Sequence, residues 1–182
     1  LVMVFNLTTG GHLLRIDGVQ WLLNNPPNVT GSGNVYGVAW SPDGRQLACG
    51  VQTFETIIFD RVVGSQGVTY PISQVLTYSE TNPRQVHWAE RMTAQRPIRT
   101  LATASQGTSI QMWQTAVNFG DSGPELTRLW CDLANQEGVE HSSRSTGFSR
   151  DGTKVASGAY RGSVCVWRRD PVTRQWNNTE LL

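Results

Sequence analysis

Long apolar runs are missing from these 182 residues, and none approaches the length needed to span a bilayer. Membrane insertion is therefore not expected. Histidine and cysteine are scarce, three of each. The histidines, His12, His87 and His141, are far apart, and none is paired with another His or a Cys at ligand spacing. No metal site, cofactor site or small-molecule substrate is expected from them. His141 lies beside Ser142 and Ser143, but neighbours in sequence do not make a triad, and no catalytic residue is assigned. An odd, low cysteine count (Cys49, Cys131, Cys165) argues for small buried hydrophobes in a reducing compartment, cytoplasmic or nuclear. On that basis the glycosylation-type triplets starting at Asn6, Asn28 and Asn177 read as chance. Lysine is nearly absent: of fifteen basic residues only Lys154 is Lys.

Net charge is +1, which predicts no general attraction to polyanions. The distribution is less even. Residues 143–182 hold seven basic and three acidic side chains, while the remainder holds eight basic and eleven acidic. The bland reading of that C-terminal excess is a solvated outer strand. The sharper one is a basic edge that meets an acidic partner or RNA phosphate.

Against these absences stands a period. Phe5, Phe59, Trp113 and Trp167 recur every 54 residues, each closing an apolar run. Leu47-Ala48, Leu101-Ala102 and Val155-Ala156 keep the same step, and Trp40 and Phe148 lie two steps apart. A fixed period marks a repeat array. In the clearest unit Val35–Trp40 reads as a strand and Ser41-Pro42-Asp43-Gly44 as a turn. Gln46–Gly50 reads as a second strand and Thr56–Phe59 as a third. Residues 145–170 repeat this, with Ser149-Arg150-Asp151-Gly152 in the turn. In the middle unit Val86-His87-Trp88 is the first strand, and its hairpin carries six extra residues. Fourth strands are expected at His12–Ile16, Gln74–Tyr78, Glu125–Trp130 and Arg174–Asn177. The third strands are apolar at consecutive positions, which implies burial on both faces. Small sheets stacked face to face give that arrangement, and radial stacking of them gives a propeller.

The segments VAWSPDGRQLACG…IIFD and GFSRDGTKVASG…VCVW resemble blades of the WD-repeat propeller family, whose pattern is roughly VxxVxFSPDGxxLASGSxDxTIxVWD. The expected fold is all-β, a WD-repeat-like β-propeller with about three and a half four-stranded blades. These are a remnant at 1–17 and blades at 35–78, 85–130 and 143–182. They are read as a piece of a longer propeller, or as one completed by another chain. The sequence departs from the family pattern. No Trp-Asp pair ends a third strand, and the family's loop Asp falls on Thr53, Gly107 and Arg161, so the regular Asp–His–Ser–Trp network is not expected.

The resemblance implies a non-catalytic scaffold for other protein subunits, with contacts on the rim of the central channel. The residues it selects there are Tyr36, Phe54, Gln106, Tyr160 and Arg161. Trp40, Trp88, Trp113 and Trp167 are on the repeat phase and are assigned to the core. Trp21, Trp130 and Trp176 are off it, and Trp21, in a linker, is a candidate interface anchor. Two other functions remain open: RNA binding by the basic C-terminal blade, and the sensor region of a larger enzyme.

Overall fold

The computed structural model describes residues 2–5, 8–9, 12–16, 34–52, 55–77, 83–92, 97–106, 109–116, 125–132, 134 and 142–182. They form strands and turns almost throughout; Asp132 and Ala134 are helical. The chain divides into two compact units, Leu1–Pro83 and Arg84–Leu182.

The first unit opens with a two-stranded antiparallel sheet, β1 (Val2–Phe5) and β2 (His12–Ile16). A four-stranded antiparallel sheet follows, made of β3 (Val35–Trp40), β4 (Gln46–Val51), β5 (Glu55–Asp60) and, beyond a short hairpin, β8 (Ile72–Thr77). That hairpin, β6 (Val62–Gly64) with β7 (Gly67–Thr69), lies between the third and fourth strands of the sheet. Its turn needs the positive φ of Gly67, +118°. Leu47, Cys49, Ile57, Phe59 and Tyr70 form this unit's core, with Val35 and Val68 packed on it.

The second unit holds two four-stranded antiparallel sheets. One is β9 (Pro83–Met92), β10 (Pro97–Ser105), β11 (Ser109–Ala116) and β12 (Glu125–Trp130). The other is β13 (Ser143–Phe148), β14 (Lys154–Ala159), β15 (Val164–Arg169) and β16 (Trp176–Leu181). Pairing is between sequence neighbours, the order that short hairpin connections favour. The insertion in the middle repeat lengthens its first hairpin, so β9 and β10 are ten and nine residues long where β13 and β14 have six each.

The turn between first and second strands has a local cause. Ser41 Oγ donates to Asp43 Oδ1 at 2.7 Å, and Asp43 accepts the Arg45 N–H. Ser41 Oγ accepts the Gln46 N–H. The last sheet repeats this atom for atom with Ser149, Asp151, Thr153 and Lys154. Gly44 and Gly152 follow at φ +67° and +66°, a conformation that glycine adopts without a Cβ penalty. The hydroxyl and amide donors around Asp151 hold its carboxyl down, to about 2.

Second strands carry small residues where sheets approach closely. In the second unit Ala102, Ala104, Ile110 and Met112 of one sheet pack with Val155, Cys165 and Trp167 of the next, all nearly inaccessible to water. Trp167 Nε1 donates to the Trp130 carbonyl at 3.0 Å across that junction. The third strands β5 and β11 are buried on consecutive positions, as the apolar runs implied. β15 differs: Cys165 and Trp167 are buried, but Val164 and Val166 on its other face are only half-buried.

Three expectations need correction. Trp40 is not core; it is 41% exposed, near the Tyr70 ring at 5.9 Å. Its equivalent Phe148 is half-buried because β9 lies beside β13: His87 Nδ1 accepts the Phe148 N–H at 3.3 Å, and Gln85 Oε1 accepts the Thr146 N–H at 3.1 Å. The sheet before β3 holds only third- and fourth-strand equivalents among the described residues, so no such cover stands beside Trp40. The last fourth strand is Trp176–Leu181, beginning later than 174 because Pro171–Gln175 form a turn closed by Asp170. Finally, the three cysteines are not alike. Cys49 is a lone buried thiol, pushed up to about 12 by desolvation. Cys131 and Cys165 are a disulfide, their Cα atoms 6.0 Å apart and 34 residues apart in sequence. Sheet stacking brings them together, which spacing in sequence does not reveal.

Two measurements test this packing. Denatured, unreduced protein is expected to release one reactive thiol and reduced protein three. Loss of the Cys131–Cys165 link should cost about 3–4 kcal/mol in urea unfolding for a loop of this length. Three thiols without reduction would refute the pairing. His87 supplies the second test. Burial lowers its pKa below the ordinary 6.5, so the folded protein holds the proton less tightly than the unfolded chain. Its contribution is complete above 6.5 and is lost as pH falls below that value. The stability lost between about pH 7.5 and about pH 5.5 should shrink in His87→Gln, whose amide can still accept the Phe148 N–H. An identical pH profile in the variant would exclude this residue as the cause.

Candidate functional site on the rim

One end of each four-stranded sheet is built from two positions that recur with the repeat. The first is four residues before the first-strand aromatic: Tyr36 before Trp40, Arg84 before Trp88, Arg144 before Phe148. The second is five residues after the second-strand aliphatic: Gln52 after Leu47, Gln106 after Leu101, Tyr160 after Val155. Tyr36 and Arg144 are each the extra residue of a β-bulge, at the register shifts Val35/Gly37 and Ser143/Ser145. A bulge turns a side chain out of the regular alternation. Here it places the first position beside the second.

In the second unit the two positions meet twice. Arg84 Nη2 donates to Gln106 Oε1 at 2.9 Å. The Arg144 guanidinium lies over the Tyr160 ring, its Cζ 5.3 Å from the centroid, close enough for cation–π attraction. Ser142 joins the two pairs: its Oγ donates to the Gln106 carbonyl at 3.1 Å, and its own carbonyl accepts the Tyr160 N–H at 3.1 Å. The loop that carries Tyr160 and Arg161 is stiff. Gly162 N–H donates to the Ala159 carbonyl, Ala159 N–H to the Ser163 carbonyl, and Gly162 takes φ +91°. Tyr160 is thereby held 76% exposed, with Arg161 exposed beside it.

Of the residues selected from sequence, Gln106, Tyr160 and Arg161 stand on this rim of the second unit. Tyr36 is at the equivalent place in the first unit, 37% exposed, near an Asn34–Gln52 side-chain hydrogen bond of 2.8 Å. Phe54 and Trp21 lie outside the described residues, as do Thr53, Gly107 and His141. Arg84 and Arg144 were missed, although each stands at the place of Tyr36 relative to its first-strand aromatic. The six-residue insertion hid Arg84, and Arg144 was counted only as part of the basic C-terminal excess. Of the off-phase tryptophans, Trp176 packs on its own core and Trp130 is 42% exposed.

A second charged feature lies at the opposite end of the last sheet. Lys154 and Arg168 are directly opposed across β14 and β15, both exposed, with exposed Arg150 in the nearby turn. Like charges directly opposite repel.

Among the described residues no group of three His, Cys, Asp or Glu side chains could hold a metal ion. No helix of the described residues is long and apolar enough to cross a membrane.

Two segments of the chain, residues 25–54 and 136–168, match the family model of the WD domain, G-beta repeat. The described parts of both carry the first strand, the Asp-Gly turn and the second strand of a sheet. No curated protein matches the chain. WD repeats generally serve as scaffolds for protein–protein interaction and are typically non-catalytic. The two matched segments lie on four-stranded antiparallel sheets, so these parts of the chain are similar to the blades of WD-repeat propellers.

Proposed function

We propose that the chain is a non-catalytic scaffold that holds other protein subunits within a multiprotein assembly. Its blades are 35–78, 85–130 and 143–182, preceded by a remnant at 1–17, and belong to a larger propeller. The observation that carries the reading is Tyr160: a large aromatic held mostly in solvent on a hydrogen-bonded turn, with arginines on either side. Tyr and Arg are the residues that most often anchor protein interfaces, and a rigid loop presents them at little entropic cost. The low, odd cysteine count favours the cytoplasm or nucleus as its location; the Cys131–Cys165 disulfide weighs against a reducing compartment, and the redox state of that pair in cells decides between them.

The alternative is RNA binding by the basic last sheet, which the opposed Lys154 and Arg168 favour. It requires affinity that falls steeply with salt.

For the scaffold, a photo-crosslinking residue at position 160 is expected to capture specific proteins in cells. Tyr160→Ala with Arg161→Glu should reduce their recovery about tenfold while the circular dichroism spectrum stays unchanged. Undiminished recovery of every partner by the double variant would remove the rim from consideration.

A further inference from the structure

We propose that the rim of the second unit recognises an acidic peptide segment, with a carboxylate seated on Arg144 beside the Tyr160 ring. The inference rests on the scaffold reading and names the chemistry of its partner.

Arg144 is the centre of the argument. The bulge directs its side chain over Tyr160, and the ring holds the guanidinium in one orientation. Its Nε is buried and has no hydrogen-bond partner. That orphaned donor shows that the chain does not saturate this guanidinium, and the side chain is only half-buried, which leaves part of it open to an incoming acceptor. A carboxylate suits such a group, because its two oxygens match the fork of a guanidinium N–H pair. Arg84 is the same position of the neighbouring repeat, on the same linked set of Gln106, Ser142 and Tyr160. Two arginines at equivalent places, with Arg161 next to Tyr160, favour a segment with more than one acid.

Of the last sheet's three acids, exposed Glu180 is on β16, separated from the β13 strand of Arg144 by β14 and β15. Asp151 and Asp170 sit in turns at the opposite end of the sheet, engaged by Ser149 and Thr153 and by the N–H groups of Val172 and Thr173. The ion pairs Arg45–Asp43 and Arg99–Glu90 also lie at the far ends of their hairpins. RNA is the less suitable occupant. Sequence-tolerant nucleic-acid binding uses aromatic faces as stacking platforms, and one face of Tyr160 is already covered by Arg144.

A displayed random peptide library panned against the whole chain tests this. Selected peptides are expected to be rich in Asp and Glu. Replacing those acids by Asn and Gln should weaken binding at least about tenfold, as should Arg144→Gln. Tyr160→Ala should do the same and, at so exposed a position, leaves folding intact, so a misfolded Arg144 variant does not blunt the test. Peptides that bind equally well after the amide swap, or that ignore both variants, overturn the inference, as does a library that yields no binder. So does a twelve-residue uridine oligonucleotide that outcompetes the peptides and depends on Arg144. Acid-free peptides that still need Tyr160 overturn the acidic chemistry while leaving the scaffold standing; absence of any crosslinked partner from position 160 would count against the scaffold itself.

Discussion

Face-to-face burial of four-stranded sheets is the constraint on which the rest of this molecule depends. A small sheet with apolar residues on both faces is not stable alone, because one face or the other would lie in water. In the second unit the answer is visible residue by residue. Ala102, Ala104, Ile110 and Met112 fill one side of a junction, and Val155, Cys165 and Trp167 fill the other. Alanine in the second strand is needed because a larger side chain would hold the sheets apart. Gly158 answers a different need, inside its own sheet: a Cβ there would come within 2.7 Å of Ser145 Oγ on the paired strand β13. The Cys131–Cys165 link and the Trp167–Trp130 hydrogen bond fasten the same junction from two further points.

That junction sets what the sheet ends can present. Once the second and third strands are fixed by stacking, the loop between them has no freedom to move its base. In the last sheet its short turn is closed by main-chain hydrogen bonds. Side chains there are released from the core's demands, and they vary: the same phase holds Gln52, Gln106 and Tyr160. The opposite turn is the same in the β3–β4 and β13–β14 hairpins, where Ser-x-Asp-Gly supplies its own hydrogen bonds and a positive φ; the longer β9–β10 hairpin lacks that motif. One end of the sheet is therefore held by folding, and the other is open to recognition.

Legibility in the sequence followed the range of the cause. The Asp-Gly turns were readable because the bonds that make them span five residues. The third strands were readable because burial on both faces leaves an unbroken apolar run. Trp40 was misread because phase says which residues are equivalent, not what stands beside them: Phe148 has His87 for a neighbour, and Trp40 has no counterpart of it among the described residues. The β6–β7 hairpin was missed for a related reason. Gly64-Ser65-Gln66-Gly67 is a local turn signal, but it lies outside the repeated pattern. The cysteine pairing was beyond reach, since it depends on which sheets stack. On the rim, Gln106, Tyr160 and Arg161 came from the family pattern, whereas their arginine partners needed the bulge geometry.

The departure from the family's loop aspartate then acquires a physical sense. Arg161 stands where the pattern would put an acid. An acid there would lie one residue from Tyr160 and close to the arginine over its ring, and at the few ångströms typical of such neighbours it would offer that guanidinium an internal carboxylate. Arginine in its place adds positive charge beside Tyr160 on a turn closed by main-chain hydrogen bonds. On the acidic-peptide proposal, the replacement gives up a local attraction and leaves the Arg144 guanidinium to a carboxylate from outside the chain.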